Sequence, residues 1–189
     1  MSAVRVRYSP FVIRKWRILI IRQSMKIIRD CLTELVFTEC KRELKDKLHG
    51  EEWSSSQLNW TDDVRTHIGS CLASTLTDSL KDMVLRDISE HLPECQRYRC
   101  RFYVWQPLSG IPPHTDQNHK FGATIYLNEK WDLRDGGYFM WKEGDGDIWN
   151  AIHPQRNMMM VNTTQEWHQV TPVLQDPANL RYTIQIWGD

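Results

Sequence analysis

The chain has 189 residues, with 24 Lys and Arg against 24 Asp and Glu, and is formally neutral. That length suits one domain, able to bury about 70% of its extended-chain surface. The balance hides an asymmetry: residues 1–24 hold Arg5, Arg7, Arg14, Lys15, Arg17 and Arg22 and no acid, so the remainder carries 18 basic against 24 acidic residues. A mildly acidic body argues against a nucleic-acid backbone as the main partner.

In chain order, the first stretch is apolar at Phe11–Ile13 and Ile18–Ile21, but Arg14, Lys15, Arg17 and Arg22 interrupt it. No run reaches the roughly 20 apolar residues of a membrane span, and no small-residue cleavage site follows. Residues 1–24 are expected to be a disordered or non-native extension, with the domain running from 25 to 189. A targeting presequence or a membrane-surface helix is the alternative. The five cysteines show no CxxC spacing and are odd in number, which predicts buried, reduced thiols and a cytoplasmic location.

Met25–Leu32 reads as a short strand or lead-in. Thr33–Leu48 reads as an amphipathic helix stopped by His49-Gly50, and Thr77–Leu92 as a second one ended before Pro93. Between them, Glu51–Asp63 is polar and reads as a loop. From Arg97 the texture changes to short aromatic and β-branched runs separated by Gly, Pro and Asn: Arg97–Gln106, Phe121–Leu127, Gly137–Lys142, Asn157–Asn162, Gln169–Val173 and Arg181–Trp187. This pattern predicts two packed antiparallel sheets. The fold class is mainly β with flanking helices: a jelly-roll core over 97–187 braced by helical support over 33–92.

The chemistry concentrates in His114-Thr115-Asp116 and a distant His168. Alternation along a strand would place His114 and Asp116 on one face. Two imidazoles and one carboxylate can occupy one face of an octahedral metal and leave three positions open, as in non-haem Fe(II) oxygenases. His114 or His168 alone has a plainer reading as a satisfied histidine, and Arg181 alone as a surface salt-bridge residue. The joint pattern carries the argument. Gly136-Gly137 is expected to serve a turn needing positive φ, Met158–Met160 to fill core, and Trp141, Trp149 and Trp167 to pack in the core or rim a cleft. His49, His67, His91, His119 and His153 are expected to be solvated or structural.

The run Tyr103–Asp116, the segment Ala123–Asn128 with Trp131 and Gly136-Gly137, His168–Val173 and Arg181–Trp187 together resemble the Fe(II)/2-oxoglutarate-dependent dioxygenases of the prolyl 4-hydroxylase-like branch. The resemblance covers about Ile27–Trp187. It implies a double-stranded β-helix, Fe(2+) on His114, Asp116 and His168, and 2-oxoglutarate as cosubstrate. It implies that Arg181 grips the far carboxylate bidentately, supported by Thr183, with Tyr126 and Tyr103 contacting the cosubstrate and Trp187 lining the pocket. Lys142 and Arg134 are the reserve cations. With Asp116 present, hydroxylation is expected rather than halogenation.

The resemblance further implies O2 consumption, release of succinate and CO2, L-ascorbate as an auxiliary, and hydroxylation of a peptide or protein side chain, proline first. A free amino acid or small metabolite is the alternative substrate. A catalytically silent binding or sensor module is the non-enzyme alternative, and the intact ligand set argues against it. Nucleic-acid repair is disfavoured, since Trp187 stands where dealkylating relatives carry a second arginine. The pocket is expected to open beside the loops Asn128–Gly137 and Glu51–Asp63, with Trp53, Trp60 and Trp131 able to stack on a proline ring. The acidic body is expected to prefer a neutral or basic peptide.

Overall fold

The computed structural model describes residues 25–50, 53–55, 71–142, 147–163, 166–174 and 180–189. The extension 1–24, Trp60 and most of the loop expected over Glu51–Asp63 lie outside the described residues.

Two helices form where the apolar spacing predicts them. Helix α1 spans Glu34–Leu48 and α2 spans Asp78–Ile88, followed by a 3-10 turn at Ser89–His91. Each starts at a threonine whose hydroxyl accepts from the backbone three residues on, Thr33 from Val36 and Thr77 from Leu80. The caps are also exchanged between helices. Asp87 of α2 accepts from the Thr33 backbone N–H and hydroxyl at 2.8 and 2.9 Å. Glu43 of α1, buried, accepts from the same two groups of Thr77 at 2.8 and 2.6 Å.

The strands are β1 (Met25–Ile28), β2 (Ser54–Ser55), β3 (Cys71–Thr75), β4 (Tyr98–Trp105), β5 (Ile111–His114), β6 (Phe121–Tyr126), β7 (Phe139–Lys142), β8 (Trp149–Ile152), β9 (Met159–Asn162), β10 (His168–Val170) and β11 (Arg181–Gly188). They make a seven-stranded sheet in the order β1-β9-β6-β11-β4-β3-β2 and a four-stranded sheet in the order β5-β10-β7-β8. All pairings are antiparallel. Consecutive strands from β4 onward leave one sheet for the other and return, which is the jelly-roll plan.

Parity along the large sheet divides the interior in two. Cys100, Phe102, Val104, Ile125, Met159, Val161, Ile184 and Ile186 pack toward Val36, Phe37, Leu80, Val84 and Ile88 of the helices. Tyr103, Trp105, Tyr126, Met158 and Met160 face the other way, toward Phe139 and Val170 of the small sheet. The functional side chains emerge on this second face.

Six of the strands coincide with the sequence-derived runs. The separate strands β2, β3, β5 and β8 are not among those runs; β2 is two serines and β5 carries two prolines, a residue type depleted in strands. No cysteine is in a disulfide, and four of the five are buried. Gly136 and Gly137 have φ of 68° and 64°, as the double-glycine turn requires. No helix among the described residues is long and apolar enough to cross a membrane.

Candidate active site

His114 ends β5 and His168 opens β10, and the register sets the two directly opposite each other. Their rings lie 4.3 Å apart. Asp116 does not share their strands. It sits two residues beyond the end of β5, so the strand-alternation premise is corrected: the chain leaves the strand after His114, and the Asp116 carboxylate lies against Gly122 of β6. His114 Nε2 lies 3.9 Å from Asp116 Oδ1, and His168 Nε2 lies 3.5 Å from Asp116 Oδ2. One ligand atom from each residue falls within 4.8 Å of the other two, so the three could hold one metal ion.

The outer ring nitrogens fix which atoms face inward. His114 Nδ1 lies 2.8 Å from the Pro112 carbonyl, and His168 Nδ1 lies 2.8 Å from the Glu166 carbonyl. A carbonyl only accepts, so each Nδ1 carries the proton and each Nε2 presents a lone pair. Asn162 Nδ2 donates to the same Glu166 carbonyl at 3.2 Å, and its 3.3 Å approach to His168 Nδ1 is therefore a contact between two donors. Phe139 stacks on His168 at 5.4 Å and 16°. Burial pushes the His114 imidazole below its ordinary pKa, and His168 beside it acts in the same direction. A neutral imidazole is the form that binds metals.

Arg181, the first residue of β11, is fully buried and is not a surface salt-bridge residue. Its guanidinium carbon lies 4.6 Å from the Trp105 ring and 5.1 Å from the Tyr126 ring. Its three side-chain nitrogens and the Tyr126 hydroxyl are sealed from solvent without a hydrogen-bond partner of normal geometry. Burial lowers the pKa of Arg181, and Tyr126 opposes that shift. A buried cation with every donor unmatched is costly on its own, and it suits a dianionic ligand that ends in a carboxylate. Thr183, also buried, accepts from the Trp105 indole N–H at 3.0 Å and from Gln185 at 3.3 Å. Its own proton remains available for an acceptor. Of the reserve cations, Arg134 is exposed and bound to Asp132, and Lys142 ends β7 and is not among the cavity's described lining residues.

Beside Trp105, which covers Arg181, a cavity of about 540 Å³ opens between the sheets, lined by the metal-ligand candidates together with Trp105, Tyr103, Trp187, Arg101, Gln185 and Trp167; Arg181, Tyr126 and Thr183 lie behind this lining and are not part of it. Tyr103 packs 5.8 Å from Trp187, and burial raises its phenol well above the ordinary range, so it stays protonated. The cavity is not bordered by Asn128–Gly137, contrary to expectation. That segment clamps the Arg181 end: Asn128 bonds the backbone of Leu180 and Tyr182, and Gly137 lies against the Arg181 side chain. Trp131 and Trp53 spend their indole N–H groups on the Gly136 and Lys47 carbonyls. Of the candidate cleft tryptophans, Trp167, 52% exposed, stands at the rim. His119 also stands there and bonds Asp189 at 2.6 Å.

Trp105, Gly122, Arg101 and Gln185 escape a motif search. Parity was the available signal: Arg99, Arg101 and Trp105 share the face of Tyr103 on β4, and Gln185 shares that of Arg181 on β11. The cavity also departs from the acidic character of the body, since Asp116 is the single carboxylate among its described lining residues and Arg99 and Arg101 are both there.

Residues 96–188 match the family model described as the 2OG-Fe(II) oxygenase superfamily. Through this segment the chain belongs to that superfamily, which implies Fe(2+), 2-oxoglutarate and O2. No curated protein sequence matches the chain. Among solved structures, a prolyl-4-hydroxylase from Pseudomonas putida is similar over 87% of this chain and 92% of its own, with TM-score 0.69 and 16% identity. A prolyl hydroxylase from Trichoplax adhaerens, in complex with a hypoxia-inducible factor peptide fragment, is similar over 88% and 84%, with TM-score 0.68 and 16% identity. A non-heme alpha-ketoglutarate-dependent epimerase from nogalamycin biosynthesis is similar over 88% and 78%, with TM-score 0.62 and 9% identity. At these identities the likeness is one of fold, and the same fold carries more than one reaction.

Proposed function

We propose that the chain is an Fe(II)- and 2-oxoglutarate-dependent hydroxylase acting on a side chain, with proline in a peptide as the favoured target. In the balanced reaction, a C–H bond, O2 and 2-oxoglutarate become a C–OH bond, succinate and CO2. The observation that carries the reading is the orphaned Arg181 guanidinium packed on Trp105, a residue that lines the same cavity as His114, Asp116 and His168.

In this reading the Nε2 atoms of His114 and His168 and the carboxylate of Asp116 hold the metal on one face. Arg181 takes the far carboxylate of 2-oxoglutarate bidentately, Thr183 donates its proton to the same group, and the protonated Tyr126 hydroxyl offers a further donor. Trp105 and Tyr126 sandwich the guanidinium and exclude water, which strengthens each of these contacts. When bound, iron and 2-oxoglutarate supply the oxidising equivalents for hydroxylation. Tyr103 and Trp187 form an apolar wall for the substrate, and Trp167 offers an aromatic face at the rim. L-ascorbate, expected from the resemblance alone, belongs to this proposal as an auxiliary.

The peptide target draws support from the two prolyl hydroxylases of like fold, one of them holding a peptide. Proline-rich peptides should raise iron-dependent succinate formation above the substrate-free rate and gain one oxygen atom. If free amino acids do this and no peptide does, the substrate is a small metabolite. That second reading is favoured by the basic residues on the cavity wall.

A further inference from the structure

The cavity wall carries a cation that the iron and cosubstrate chemistry does not use. Arg101 lies on β4 with its side chain on the cavity face, in one rank across the large sheet with Gln185 of β11 and Thr124 of β6. Gln185 is already committed, accepting from Thr124 at 2.8 Å and donating to Thr183 at 3.3 Å. Arg99, one rank outward, is matched by Asp189, with Nε 3.2 Å from Oδ2 and Nη2 3.3 Å from Oδ1. Arg101 makes no hydrogen bond or ion pair with any described residue.

Charge makes this informative. Fe(II) and Arg181 together would be neutralised by Asp116 and the two carboxylates of 2-oxoglutarate. Among the described lining residues no carboxylate is then left for Arg101, in a body that is otherwise net acidic. Position narrows the partner. The Asp116 carboxylate lies against Gly122 of β6, next to the rank of Thr124. Arg101, in that same rank, lies two strands from β6, or about 10 Å by ordinary strand spacing. An arginine side chain spans most of that gap, so an anion gripped by Arg101 would sit within a few bonds of a carbon held at the metal.

We propose that Arg101 is a specificity-determining residue that binds a carboxylate of the substrate, placed a few bonds from the oxidised carbon. This rests on the hydroxylase reading and deepens it. The chemistry is shared by a free amino acid and by a peptide with an acidic residue beside the target, and it revises the expectation of a neutral or basic peptide. A planar guanidinium suits a carboxylate better than the ammonium of lysine does.

The test uses the full chain loaded with Mn(II) and 2-oxoglutarate, and two pairs of probes read by calorimetry. One pair is L-proline and L-prolinamide. The other is a blocked prolyl-glutamate peptide and its prolyl-glutamine isostere. At least one acid should bind about tenfold or more tightly than its neutral partner, the scale of a charge-assisted contact. Arg101→Gln should abolish that preference, and Arg101→Lys should retain part of it. A response from the first pair assigns a small acid, and from the second an acidic peptide. Equal binding within both pairs, no binding by any probe, or an undiminished preference in Arg101→Gln would overturn the proposal. Iron-dependent succinate formation by the wild-type chain without substrate reads the underlying chemistry separately, so failure of that chemistry is told apart from failure of the Arg101 assignment.

Discussion

The carboxylate of Asp116 occupies the space a β-carbon would take at Gly122: a Cβ built there falls 2.4 Å from Asp116 Oδ2. The obstructing atom is the end of a side chain, so the fold can accommodate an alanine while the carboxylate moves. Gly122→Ala should therefore keep a cooperative melt and lose metal affinity by about tenfold to a hundredfold, the usual scale when a ligand's support is disturbed. Titration with Mn(II) followed by calorimetry measures it, and unchanged affinity would remove Asp116 from the metal set.

Direct loss of a ligand should be more severe. His114→Ala and His168→Ala should each abolish stoichiometric binding of Fe(II), Mn(II) or Co(II) and iron-dependent succinate formation. Metal analysis after gel filtration gives the occupancy. Full occupancy with turnover in both variants would sink the triad.

Arg181→Met should act in two directions. Losing the charge-assisted contact should weaken 2-oxoglutarate by about 1.5–3 kcal/mol, tenfold to more than a hundredfold. Removing a buried cation whose nitrogens have no partners should leave the melting temperature of the ligand-free protein level or higher. The upward shift in melting temperature on adding 2-oxoglutarate should vanish. A variant that keeps wild-type cosubstrate affinity would assign the carboxylate to another group.

Glu43 is a structural acid on the far side of the large sheet. Glu43→Ala strips two charge-assisted hydrogen bonds from the Thr77 cap, at a cost of about 1–3 kcal/mol. Urea denaturation should record that loss with the slope unchanged, and metal affinity of the folded protein should not move.

Burial pushes the thiols of Cys31, Cys40 and Cys100 up to about 12, so almost none is thiolate near neutrality. Cys95 is the one cysteine that is not buried. A thiol reagent at neutral pH should label Cys95 first and reach the others only as the chain unfolds. Rapid native labelling of Cys31 or Cys40 would contradict the packing of α1 against the sheet.

Local chemistry made much of this protein legible from its sequence. Apolar spacing and threonine caps located both helices, because those signals are contained within one or two turns. Alternation and turn residues marked six strands and the jelly-roll class. The spacing of His114, Asp116, His168 and Arg181 pointed to candidate ligands through its resemblance to a family, and the fold brings His114, Asp116 and His168 together. What depended on distant pairings was not legible. The exchange of caps through Asp87 and Glu43 joins residues 54 and 34 positions apart. Asp116 lies past the end of β5, and its seat over Gly122 follows from the two sheets closing on each other. Only that closure decided that Trp105 would cover Arg181, that Asn128–Gly137 would clamp β11 instead of bordering the cavity, and that Arg101 would face inward. A strand's own sequence sets which residues share a face, but which face becomes the site depends on the sheet that packs against it.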